Sequence, residues 1–591
     1  MGQVVAGADG YHRPLMADPH VSVARLLAAA FAQVGGRDDV DPVVRPSEHA
    51  HAQANGALAL AKQLGRSPRD VAVDIVAAAD LGDVATLEVA GPGFINVTFS
   101  DAFLDQQIAG VATDPQLGIT APATIETVII DYSAPNVAKE MHVGHLRTTV
   151  IGDALSRMLT FQGHRVIREN HIGDWGTPFG MLIEHMVDVT GTADADKLEV
   201  RDLDAFYKQA RTKFDSSDEF KERARERVVK LQSRSDDETT QLWLTLVAES
   251  TRHFNELYGK LGILLTDDDL AGESVYQPSM PDVLERLEAA GLLDESDGAN
   301  VVWVPGYTNR EGAQLPLIVQ ARTGGFNYAT SDLACVIDRV ERLGATLLLY
   351  VVGTPQAQHL QMVWKVAEMA GWLVPPARAV HVNFGNVLGA DRKMLKSRSG
   401  EPMRFIDLVD EAVERGRAAV AERSPELPAD EQAELGRVIG IGALKYAELS
   451  TDRIKDYVFD WDRMLAFDGN TGPYLQYAHA RICSIFRRAG VDRAGVRGTA
   501  IQVSEPQERA LAQRLLGFPT ALAESMVAYA PHKLCTYLFD SAQDFTAFYE
   551  QCPVLKAEEP IRSSRLALCD VAARTIAQGL EVLGIEVPEA M

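Results

Sequence analysis

At 591 residues the chain is long enough for several domains with separate cores, and a hydrophobic content of 46% argues for globular structure throughout. No apolar run approaches membrane-spanning length, the first twenty residues lack a basic segment followed by an apolar one, and Cys335, Cys483, Cys535, Cys552 and Cys569 are scattered without a CxxC pair. A membrane span, a secretory signal, a disulfide framework and a zinc site are therefore not indicated, and a cytoplasmic protein is expected; the formal charge of −25 speaks against a broadly basic nucleic-acid binder while leaving room for local cationic surface.

From about Val21 to Leu87 helical patterns alternate with polar breaks, and AGPGFINVTF, Ala90 to Phe99, reads as a turn followed by an alternating strand. A small α/β module is expected there. The string DPQLGITAPAT, from Asp114, contains Pro115, Gly118 and Pro122 without periodicity, which places a domain boundary just after Pro115. Val128 to Asp131 is a short β-branched run of the kind that forms a buried parallel strand. Leu146, Val150, Ala154, Leu155, Met158 and Leu159 then recur at helical spacing, so a βα unit is predicted, with a second strand at Arg165 to Arg168.

At the junction of that unit stands HVGH. His142 and His145 fall where free backbone N–H groups and the helix dipole already favour phosphate, and Gly144 removes a side chain so that a flat base or sugar can approach. Two histidines three apart are more often a satisfied structural pair. A charged helical insertion follows, from about residue 190 to residue 300. Its cations, from Lys208 and Arg211 to Lys230 and Arg234, alternate with Glu219, Glu222 and Glu226, so salt bridges on a solvated face are the better reading. The α/β pattern resumes at about Val301, with strands near Thr346 to Val352 and His381 to Val387.

GADRKMLKSRSGEP, Gly389 to Pro402, follows the last of these strands and precedes a helix from about Phe405. Lys393, Lys396 and Arg398 make it a flexible cationic loop at a strand end, which taken alone is a solvated basic loop. Beyond it the chain reads as predominantly helical. Arg481, Arg487, Arg488, Arg493 and Arg497 form the basic cluster least diluted by acid, and thus the better candidate for RNA.

HVGH and KMLKS together resemble the two signature motifs of class I aminoacyl-tRNA synthetases. DYSAPNVAKEMHVGHLR, NHIGDWGTPFGMLIE, GGFNYATSDLA and GNTGPYLQYAHARI sharpen the resemblance to the arginyl-tRNA synthetases, from about Gly93 to Met591. The resemblance implies a multidomain protein. A small N-terminal α/β domain that contacts the tRNA would occupy 1–115; a Rossmann-like parallel-sheet catalytic domain, with the insertion at about 190–300, would occupy 116–400. A helical connecting region, 401–460, and an all-α anticodon-binding domain, 461–591, would follow. It implies arginine, ATP and an arginine-accepting tRNA as partners, Mg²⁺ arriving with ATP, no zinc, and a monomer.

Residue by residue, the resemblance puts Asp131, Asn136, His142, Tyr328, Asp332 and Gln356 on arginine. It puts His142, Gly144, His145, Lys393 and Lys396 on ATP, with Lys139 as a third cation for catalysis. Recognition of a planar cation by carboxylates and polar acceptors suits the first group. Each has a plain alternative: a helix-terminal charge for Asp332, a core aromatic for Tyr328, a polar residue before a helix for Gln356 and a cap for Asn136. Leu395 stands where the general class motif has Ser, and many arginine enzymes lack the lysine found here as Lys396, which leaves the division of labour among the three lysines open. Tyr474, Tyr477 and Arg481, in a turn-to-helix segment, and the terminal Met591 are expected at the RNA, with core packing the alternative for at least one tyrosine. A different class I enzyme would share both motifs without the acidic pocket, and a non-catalytic RNA-binding relative would have lost the phosphate-binding residues.

Overall fold

The computed structural model describes residues 18–176, 178–190, 203–309, 311–395 and 403–591. These divide into two compact units. One joins residues up to Thr124 to Leu465–Met591, and the other is Ile125–Met464.

In the first unit, Asp18 caps the helix Pro19–Gly35 by accepting from the His20 N–H at 2.8 Å. Four antiparallel strands follow, in the spatial order Val44–Pro46, Ala52–Ala54, Phe94–Phe99, Ala85–Ala90. Strict alternation buries Ile95, Val97 and Phe99 on one face. The reading of 21–87 as helices with polar breaks missed three of these strands. Two are only three residues long, too short to show a period of two, and take their conformation from the neighbours they pair with.

The helix Asp101–Thr113 docks onto the C-terminal helices of the same unit. Asp101 pairs with Arg509 at 2.7 Å, Asp105 accepts from the Val503 N–H at 2.7 Å, and Arg574 donates to the Ala112 carbonyl at 2.8 Å. The C-terminal part is all helical, from Gly472–Ala489 to Ile561–Val582. Its last helix is buried on most of its faces, as a central element of such a bundle must be.

The second unit is built on a parallel sheet with strand order Arg378–His381, Leu347–Tyr350, Thr127–Asp131, Arg165–Glu169. The connection reverses direction between Thr127–Asp131 and Leu347–Tyr350, so a ligand crevice opens beyond their carboxyl ends. His381, Tyr350, Asp131 and Glu169 stand in one register row along that edge.

One expected strand is broken. His381 to Val387 leaves the sheet after His381, and Val387–Leu388 pairs instead with Tyr457–Val458. The polar groups between are satisfied from another segment: the Gly385 N–H donates to the Arg453 carbonyl at 2.8 Å, Arg453 donates to Asn383 and Asp456 accepts from the Asn386 N–H. Hydrogen bonds from 452–456 replace the ladder and release the chain.

The insertion is helical as expected, from Leu203–Ser216 to Met280–Ala289. Arg211 with Asp215 and Arg225 with Glu222 make intrahelical pairs of the kind its sequence suggested, and Lys213 reaches Asp188 on the preceding helix. No helix among the described residues is long and apolar enough to cross a membrane.

Candidate active site

The strand Thr127–Asp131 ends in the sheet core and passes into a loop, Ser133–Ala138, that holds Ser133, Ala134 and Ala138 at positive φ (71°, 47° and 60°). Three non-glycine residues in that region store strain, which persists only where the surroundings over-determine the backbone. Here they do. Thr148 accepts from the Ser133 N–H at 3.0 Å, Asn170 from the Ala134 N–H at 3.0 Å and Ser250 from the Ala138 N–H at 2.9 Å, while Ser133 and Tyr258 hydroxyls bond at 2.7 Å. Ser250 and Tyr258 belong to the long insertion helix Asp237–Leu261, so the insertion buttresses the site loop.

The following helix begins at Gly144, within HVGH. The His142 and His145 rings lie 4.3 Å apart, and the Gly144 N–H meets His142 Nδ1 at 3.0 Å. Burial, with the nearby His142, lowers the His145 pKa to about 4, so its imidazole is neutral at pH 7. A methyl group on residue 144 would lie 2.6 Å from the His142 ring, which gives Gly144 a second reason beyond nucleotide approach. About two turns further on, Gly152 packs against Tyr132, where a Cβ would sit 2.3 Å from the ring. Gly152→Ala is therefore expected to destabilise the protein by ~1–3 kcal/mol through overpacking, measured as a lowered denaturant midpoint.

Two of the residues expected on arginine come together on the helix Tyr328–Ile337, with a histidine that the sequence reading did not single out. Tyr328 is largely exposed, Asp332 lies one turn on, and His359 joins them: its Nε2 is 2.5 Å from Asp332 Oδ2 and its ring 4.7 Å from that of Tyr328. Gln356 is exposed at the N-cap of the helix Ala357–Met369. Asn136 is exposed in the strained loop, and its amide oxygen leaves no room for a side chain on Gly173. Asp131 is buried, with Oδ2 on Arg339 at 2.7 Å.

Glu273 was not singled out from sequence. Burial pushes its carboxyl up to about 7 against the pull of His171, with the charges of Asp332 and Asp174 adding to the rise. It is held by main-chain pairing of Ala271 and Glu273 N–H groups with the carbonyls of Asn170 and Ile172, at 3.1 Å each, and by Ser274, which donates from both N–H and hydroxyl to Asp174. The signal was a lone carboxylate between Gly and Ser in the apolar stretch LAGESVY, about a hundred residues from the motif it pairs with. A carboxylate raised mainly by burial, beside two further carboxylates, suits a cation.

Lys393 is exposed on a tight turn, where the Gly389 N–H donates to the Lys393 carbonyl at 2.7 Å. Lys396 lies outside the described residues. Lys139 rests its ammonium 4.5 Å from the centre of the Tyr207 ring. Just beyond the loop, Phe405 and Val143 exchange hydrogen bonds with Met141 and Met403 at 2.9 Å, and Arg404 pairs with Glu140 at 3.3 Å, so the chain leaving KMLKS is stitched to the approach of HVGH.

In the first unit, Tyr477 is 44% exposed on the helix Gly472–Ala489, whereas Tyr474 packs its ring 5.5 Å from Phe539. Arg481 stacks 5.0 Å from the Tyr549 ring centre. Of the other basic residues expected at RNA, Arg493 and Arg497 bind buried Asp570, at 3.1 and 3.3 Å, and Arg487 donates to the Glu589 carbonyl at 2.9 Å, so much of that cluster is structural. Gln476 and His479 bond the carbonyls of Glu586 and Pro588 at 2.9 and 3.0 Å, which fixes the tail that ends in Met591.

Comparison with known proteins matches three family profiles: "tRNA synthetases class I (R), catalytic domain" over residues 109–461, "DALR anticodon binding domain" over 475–591 and "Arginyl tRNA synthetase N terminal domain" over 22–99. An arginine–tRNA ligase of Thermobifida fusca (strain YX) is 54% identical over 581 residues, covering 98% of this chain and 100% of the relative. Among solved structures, the Plasmodium falciparum arginyl-tRNA synthetase has a TM-score of 0.85 at 26% identity, covering 97% of this chain and 99% of that one. The Thermus thermophilus arginyl-tRNA synthetase has a TM-score of 0.78 at 25% identity, covering 97% and 100%.

Proposed function

The chain belongs to the class I arginyl-tRNA synthetases, and on that footing we propose how its residues divide the work of arginine–tRNA ligation. Arginine's carboxylate attacks the α-phosphorus of ATP, giving arginyl-adenylate and pyrophosphate, and a terminal ribose hydroxyl of the tRNA then takes the arginyl group. Both nucleophiles belong to substrates, so the protein's part is positioning and charge stabilisation. The observation that supports the reading is Asp131 at the carboxyl end of the strand of the βα unit that presents HVGH, with Glu273 close enough to Asp332 to feel its charge.

Asp332, Glu273 and Tyr328 would hold the guanidinium, and Asp131, Asn136, His142 and Gln356 the rest of the amino acid. Lysine, with a point charge and no planar fork, satisfies several carboxylates poorly. His145 and the Gly144 backbone would meet the phosphates as neutral donors, leaving cationic stabilisation of pyrophosphate to Lys393 and Lys396, with Lys139 released from Tyr207 as the third candidate. Mg²⁺ would arrive on the ATP phosphates and their waters. Bound there, the ion would neutralise phosphate charge.

Pyrophosphate exchange driven by arginine, measured with and without tRNA, tests the assignment. Exchange supported equally by another amino acid would point to a different class I enzyme. For RNA, Tyr477→Ala is expected to raise the KM for tRNA about 5-fold to 100-fold, the worth of one stacked base, while leaving the unfolding midpoint nearly unchanged. Tyr474→Ala should instead lower that midpoint, because its ring packs on Phe539. Equal tRNA affinity in Tyr477→Ala and parent would remove this tyrosine from the RNA surface.

A further inference from the structure

A fully buried arginine stands inside the pocket assigned to arginine. Arg339 lies in the wide helical turn Asp338–Arg342 that continues the helix Tyr328–Ile337. Seven residues after Asp332 and eleven after Tyr328, it falls close to the same helical face as both. Its Nη2 donates to Asp131 Oδ2 and its Nε to Glu169 Oε2, each at 2.7 Å, and its guanidinium carbon is 4.8 Å from the Tyr350 ring centre. Tyr350, Asp131 and Glu169 occupy one register row on three adjacent strands, so one side chain spans all three.

Two atoms in this assembly are left over. Asp131 Oδ1 and Arg339 Nη1 are buried without a hydrogen-bond partner among the described residues. A buried acceptor without a donor is costly, and costlier still on a carboxylate. Two carboxylates against one guanidinium also leave one unit of negative charge beside the HVGH junction. The planar fork reaches the two carboxylates with two separate nitrogens, whereas a lysine ammonium would have to meet both from one.

We propose that Arg339 is a positioning residue for amino-acid recognition: it locks the Asp131 carboxylate in one orientation through Oδ2, so that Oδ1 faces an N–H donor of the substrate. The inference rests on the reading of Asp131 as an arginine ligand. Arg339 touches no substrate itself. The helix that offers Tyr328 and Asp332 thereby also sets the carboxylate on the neighbouring strand.

Full-length variants assayed by pyrophosphate exchange with tRNA present separate this role from simple stapling of the sheet. Arg339→Lys is expected to raise the KM for arginine about tenfold or more with the KM for ATP within about twofold. Glu169→Gln cuts the same assembly at its other end; it should lower thermal stability yet leave the arginine KM within about twofold. An unchanged arginine KM in folded Arg339→Lys, a parallel rise for ATP, or an equal arginine effect in Glu169→Gln would each overturn the proposal. Should Arg339→Lys fail to fold, the triple variant Asp131→Asn, Glu169→Gln, Arg339→Gln removes all three charges together and leaves no lone buried ion. Its arginine KM is expected to match that of Asp131→Asn alone, and a multiplied effect would show that Arg339 acts independently. Asp131→Asn with an unchanged arginine KM would instead overturn the reading of Asp131 itself.

Discussion

Replacing Glu273 by glutamine is expected to raise the KM for arginine at least about 30-fold at pH 8, because removing one partner of a desolvated charge pair costs ~2–5 kcal/mol. The parent enzyme should also bind arginine in a pH-dependent way that the variant lacks. Burial pushes Glu273 up to about 7, so in the free protein a proton occupies the site until neutral pH. Arginine, a cation, needs the carboxylate. Its affinity is therefore expected to rise by up to about tenfold per unit as pH climbs towards 7 and to level off above. The same shift has a stability sign. A carboxyl whose folded pKa is raised contributes stability below its ordinary value that is lost as pH rises through 7, so bound arginine should protect more at pH 8 than at pH 6. Equal thermal shifts with arginine at the two pH values, or a pH-independent arginine KM in the parent, would remove Glu273 from the pocket.

Lys396→Ala is expected to slow adenylate formation by about 10²- to 10³-fold at saturating ATP, the range for losing one donor aimed at developing charge, while the dissociation constant for arginine stays within about twofold. The carboxylates proposed for arginine sit on the sheet edge and the helix Tyr328–Ile337, whereas Lys393 closes a separate turn at Gly389–Lys393. Equal single-turnover rates in variant and parent would return the role to Lys393 or Lys139.

What the sequence disclosed and what it hid divide along physical lines. The strand ending at Asp131 and the HVGH helix were legible because burial and periodicity are local properties of a few consecutive residues. Short edge strands such as Ala52–Ala54 were hidden, since their conformation comes from partners far along the chain. Glu273 and Arg339 were hidden for a related reason: what makes them notable is a set of neighbours, Asp332, Asp174 and His171 for one, Asp131 and Glu169 for the other, which no local window contains. The arginine cluster at 481–497 misled in the opposite sense. Counting charges could not show that Asp570 waits in a helix some seventy residues on for Arg493 and Arg497.

The first compact unit is assembled from the two ends of the chain, and synthesis delivers those ends at different times. At about 5–20 residues per second, Ile125–Met464 takes on the order of 20–70 s to emerge before Leu465 follows. Throughout that interval the helix Asp101–Thr113 has no Arg509 for Asp101, no Val503 for Asp105 and no Arg574 for its last carbonyls. The nascent N-terminal module therefore waits on the ribosome with an unmatched docking face, while the second unit, being continuous, is free to fold first. A stalled or prematurely ended chain would keep that face exposed, and quality control could recognise an incomplete molecule there.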